Sequence, residues 1–141
     1  MTSTDPAAVG RQRAAELLTL LPSDETAAER LLADLTDVRD LVFVGAGLTA
    51  VARAEARELP PAQRAQANTR QERLGLLRDA NRRNPEGLRG WLRQAGEEVL
   101  LLRVQQAVAN RVIAADQEWT AARAAAEANG TTAASSAATT T

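Results

Sequence analysis

Eight arginines stand close together, at Arg64, Arg70, Arg73, Arg78, Arg82, Arg83, Arg89 and Arg93, with Trp91 among them. A guanidinium fork matches phosphate oxygens and an indole can stack on a base, so this block is suited to nucleic-acid contact. Arg70, Arg73, Arg78, Arg82, Arg83 and Arg89 are its candidate phosphate-contacting residues. Residues 60–93 carry a net charge of +5, whereas residues 1–59 carry −4 and residues 94–141 carry −2. The acidic stretch from Asp24 to Asp40 offers the block a partner within the chain. Protein-facing ion pairs, or a solvated face, are therefore preferred over phosphate contact.

The sharpest motif match is Gly45-Ala46-Gly47-Leu48-Thr49-Ala50, preceded by the apolar run Leu41-Val42-Phe43-Val44. It fits the form GxGxxA, in which a glycine-rich turn between a strand and a helix cradles a pyrophosphate. The context that chemistry requires is missing. No second strand follows, and the chain continues into Pro60-Pro61 with no other candidate strands to build a sheet. Small residues that let two helices approach closely are the preferred reading. Asp34, Asp37 and Asp40 recur every three residues, as a line of acids along one helix side would. A dedicated divalent-cation site would draw further oxygen ligands from loops or other helices, so helix-surface acids are expected. Glu97 and Glu98 are adjacent and their side chains diverge on a helix.

The residues that are missing exclude more. The chain has no His, Cys, Lys or Tyr, and all 17 basic groups are Arg. General acid–base work near neutral pH usually relies on His, covalent catalysis on Cys or Lys, and zinc binding on His and Cys. A non-enzymatic protein without cofactor or metal is the expectation.

The elements that must position these residues read as helices throughout. Ala fills 31 of 141 positions, Leu, Arg, Glu and Gln supply much of the rest, and the aromatics are only Phe43, Trp91 and Trp119. This is helix-forming composition with few large side chains for a core. Helices are expected at about 6–21, 24–59, 62–83 and 85–129. Asp5-Pro6 and Asn84-Pro85 are cap-and-proline starts, while Pro22 and Leu59-Pro60-Pro61 are stops. From Leu31 a heptad seam runs through Leu35, Val38, Val42, Gly45, Thr49, Ala52, Ala56 and Leu59. Between Leu41 and Ala52 the apolar character spreads around the helix, which predicts burial on all sides. The last helix carries two seams. One reads Leu88, Leu92, Ala95, Val99, Leu102, Ala109 and Ile113, and the other Leu101, Val108, Val112, Ala115, Trp119 and Ala122. Gly130 after Asn129 is a C-cap signal, and residues 131–141, made only of Thr, Ala and Ser, read as a low-complexity tail.

The fold expected is therefore all-α: one helical domain at 1–130, with three shorter helices and one long C-terminal helix in a bundle. A thin Ala-rich core suggests completion by a partner, as a homo-oligomer or in a larger assembly. Leu35, Val38, Val42, Trp91, Leu102, Val112 and Trp119 are the candidate interface residues. The functional expectation is a structural or assembly protein acting through helix-mediated protein contacts in a multi-subunit complex, such as a phage virion connector or accessory component. A nucleic-acid-binding regulator using Arg64–Arg93 is the alternative. The longest apolar run, Leu41–Ala52, has 12 residues, short of the roughly 18 to 20 that span a membrane. Met1–Asp5 lacks the basic and apolar regions of a signal peptide, so cytoplasmic synthesis is expected, with incorporation into a virion or other particle as its sequel. The exclusive use of Arg together with abundant Ala fits the coding bias of a GC-rich genome.

Overall fold

A computed structural model describes residues 5–139, with side chains through residue 130. Among the described residues there are five helices and no strand: α1 (Pro6–Leu20), α2 (Glu25–Asp34), α3 (Val38–Arg57), α4 (Pro61–Ala80) and α5 (Pro85–Thr139). The protein is an all-α helical bundle. It divides into two compact units, one ending at Gln106 and the other beginning at Ala107.

Three aspartates start the first three helices of the first unit. Asp5 accepts from the Ala7 N–H at 3.2 Å, Asp24 from Ala27 at 3.0 Å and Asp37 from Arg39 at 3.0 Å. Each satisfies a backbone donor that the helix itself leaves unpaired. Pro61 and Pro85 open α4 and α5, where a missing N–H costs nothing. Leu17, Leu41, Val44, Leu48, Leu88, Leu92, Val99 and Leu102 are the largest fully buried side chains. Trp91 joins them, and alanines of α1 to α5 fill the space between.

The helix expected at 24–59 is two helices. Leu35 leaves α2 in an extended conformation with its side chain buried, and Asp37 caps α3. The apolar period continues across the break, but Asp37 offers the backbone a capping bond that competes with helix continuation. Arg89 Nη1 then donates to the Leu35 carbonyl at 3.1 Å, satisfying an acceptor the break exposes. Burial of α3 on all sides is also corrected. Val42, Ala46 and Ala50, spaced four apart, form an exposed strip, while Leu41, Val44, Gly45, Gly47, Leu48 and Ala52 are buried. At the other end, the expected stop at Gly130 does not occur. Gly130 keeps a negative φ and α5 extends to Thr139, in a stretch whose alanines favour helix strongly. The side chains of residues 131–141 lie outside the described residues.

Close helix approach is what the glycines serve. A methyl at Gly10 would lie 2.6 Å from the Phe43 carbonyl oxygen, and one at Gly47 would lie 3.0 Å from Ala14 Cβ. These contacts seat α1 on α3. A methyl at Gly45 would fall 2.9 Å from Trp91 Cζ2 and closer still to Cζ3 and Cη2. Gly45 therefore makes room for the indole.

Candidate interaction surfaces

The arginine block is divided by its neighbours. Arg70 Nε donates to both carboxylate oxygens of Glu98, at 3.0 and 2.8 Å, and its Nη2 to Gln105 Oε1 at 3.3 Å. Glu98 is only 6% exposed, so its charge is held almost without water by a forked cation from α4. Arg89 is committed to the Leu35 carbonyl, as described. Arg93 bridges Glu25 and Glu29 of α2 and Glu97 of its own helix. Hydrogen bonding to Glu25 and then to Glu97 raises its already high pKa further. Arg78 pairs with Asp79 at 3.1 Å. Arg73, Arg82 and Arg83 are exposed and form no ion pair among the described residues; the last two sit in the turn between α4 and α5. Of six candidate phosphate contacts, three are thus already used within the chain.

The GxGxxA motif lies wholly inside α3, where no strand-to-helix turn exists to hold a pyrophosphate. The aspartate line is broken likewise. Asp34 ends α2, Asp37 caps α3 and Asp40 is in the first turn of α3. No cluster of three or more acids among the described residues is arranged to hold a metal ion.

A cavity of about 420 Å³ opens in the first unit, lined by Leu48, Ala52, Asn68, Gln71, Trp91 and Ala95 among others. Gln71 Nε2 is buried without a hydrogen-bond partner. The indole forms one wall, so the cavity reflects how few large side chains are present to fill the space beside Trp91.

No protein family, curated protein or solved structure matches the chain. The candidate interface residues separate sharply. Leu35, Trp91 and Leu102 are buried inside the first unit, Val38 is half-buried and Val42 is exposed at its edge. Val112 and Trp119, in the second unit, are 63% and 68% exposed. Val108 and Ile113 are exposed beside them.

In the second unit every described residue of 110–130 is exposed. Val108, Val112, Ala115, Trp119, Ala122 and Ala126 follow at steps of four and three, which places them on one helix face. Arg111 and Glu118 flank one side of this face, Asp116 and Arg123 the other. Arg123 pairs with Glu127 of its own helix at 3.4 Å. Arg111, Asp116 and Glu118 form no ion pair among the described residues. Sequence reasoning located this seam; it missed the Arg70–Glu98–Gln105 network. The signal was Glu98 itself, a charged residue three after Ala95 and four before Leu102, on the edge of a buried stripe.

No helix among the described residues is long and apolar enough to cross a membrane.

Proposed function

We propose that the protein is a non-enzymatic assembly component whose helix α5 binds another protein chain along the Val108–Ala126 face. One observation carries this reading: Val108, Val112 and Trp119 share a face of the second unit and are exposed there at 49%, 63% and 68%. Large apolar side chains in a row on a charged helix lower the free energy only when something covers them. Trp in particular is a residue that anchors interfaces, because one side chain buries a large area at little entropic cost.

The nucleic-acid reading draws on less. Arg70, Arg89 and Arg93 are engaged with partners inside the bundle and Arg78 pairs with Asp79, which leaves Arg64, Arg73, Arg82 and Arg83. So few cations make a weak phosphate footprint on a chain of net charge −1.

The test replaces Val112 and Trp119 by Glu, a good helix former, on a face already in water. Helical circular dichroism should be unchanged while association with the partner chain is lost. Association that survives V112E/W119E removes this reading.

A further inference from the structure

We infer that the cavity lined by α3, α4 and α5 in the first unit is a binding site for a small organic carboxylate with a flat apolar body, held at its charged end by Gln71 and Arg78. The site goes beyond the assembly reading and uses none of the exposed α5 face. Helix α4, which forms one wall, breaks the pattern that a closed core requires. Only Ala67 of this helix is buried. Ala67, Gln71, Leu74 and Arg78 follow at steps of four, three and four, the spacing of a bundle-facing stripe. Apolar side chains at every step would close the bundle, yet Gln and Arg stand at two of them. Polar residues at such positions lower stability, and in natural proteins such exceptions concentrate where function is found. Gly75, in the same wall, widens the opening: a methyl there would meet no atom nearer than Arg78 Nη2, at 3.9 Å. The resulting space of about 420 Å³ is in the range of small-molecule sites.

The lining selects the ligand. Leu48, Ala52, Leu74, Trp91 and Ala95 give apolar surface on all three helices, suited to a ring system. Gln71 Nε2 is buried and has no hydrogen-bond partner, a donor whose desolvation nothing in the chain offsets. Arg78 spends Nε on Asp79 at 3.1 Å and reaches back over Gly75 with Nη2. Its cation and the Gln71 amide therefore lie about one helical turn apart on one wall, where a carboxylate can accept from both. Arg53, on α3, forms no ion pair among the described residues and adds positive charge to the lining. Glu72 on α4 opposes a second negative charge on the ligand, so the lining fits a monoanion.

Calorimetric titration of the full chain with β-naphthoate tests the site and the ligand class. Binding at one site per chain is expected, with Kd of about 0.1 mM or tighter. Methyl β-naphthoate keeps the rings and the carbonyl acceptor without the charge, and should bind at least about tenfold more weakly. Q71L and R78Q should each weaken naphthoate binding about tenfold. G75L fills the cavity with a better helix former, so it should melt no lower than the starting chain and bind no naphthoate. V112E/W119E should bind naphthoate as the starting chain does, so the site and the proposed function stand or fall separately. Absence of saturable binding overturns the inference, as does undiminished binding by G75L. Equal affinity for acid and ester, or full affinity in both Q71L and R78Q, overturns the assignment of a carboxylate. Loss of binding in V112E/W119E places the ligand on the α5 face and overturns the cavity.

Discussion

Replacing Gly45 by Ala tests the packing that defines the first unit. In an exposed helix interior, Gly→Ala stabilises by about 1 kcal/mol through backbone entropy. Gly90 provides that reference, because a methyl there meets nothing within 4 Å. At Gly45 the methyl collides with three outer carbons of the Trp91 ring, a stiff group that is 3% exposed. Overpacking of this kind costs typically about 1–3 kcal/mol, and the rigidity of the ring puts Gly45 at the upper end. Subtracting the propensity gain leaves a net loss of about 2 kcal/mol for G45A, with G90A about 1 kcal/mol more stable than the starting protein. The assay is urea unfolding followed by circular dichroism at one fixed chain concentration, so that any association contributes equally. Trp91→Leu removes the colliding ring atoms, and in that background G45A should be neutral or stabilising, a coupling that isolates the contact. G45A as stable as G90A would refute the reasoning, as would equal effects of G45A with and without Trp91.

Other perturbations probe separate contacts. Arg70→Ala leaves the Glu98 carboxylate buried without its cation and should cost about 3 kcal/mol in the same unfolding assay, whereas R70M/E98L should recover most of it. A loss below about 0.5 kcal/mol would place Glu98 in water. Asp37→Ala removes the α3 cap and should lower stability by about 1 kcal/mol, with Asp37→Asn close to neutral; equal losses for both would contradict a capping role.

Much of the fold is written in local signals. Asp5-Pro6, Pro22, Pro60-Pro61 and Asn84-Pro85 mark helix ends because capping and proline chemistry act within a few residues. The break at Leu35–Asp37 was obscured since Leu31, Leu35, Val38 and Val42 keep a helical period across it. Its support from Arg89 comes from 54 positions away. Asp37 followed by Asp40 was a legible cap signal, outweighed by the seam. The glycine motif reads as helix packing from its small residues alone, but the ring that Gly45 accommodates, Trp91, lies 46 positions away and leaves no local signal.

The site was legible as a list and not as a partition. Apolar periodicity selects residues that seek burial; it does not say whether the covering surface belongs to the same chain. Leu35, Trp91 and Leu102 find that surface inside the first unit, and Val112 and Trp119 do not. The arginines divide for the same reason: Arg70 is claimed by Glu98 and Arg93 by Glu25, Glu29 and Glu97, contacts that only tertiary structure creates.

Native mass spectrometry of the full chain across a dilution series tests the assembly role most directly. The expected species is the 15.0 kDa chain bound to at least one further protein chain, free of nucleic acid, separating on dilution and absent from V112E/W119E. A single chain at every concentration, with no other protein bound, would contradict it.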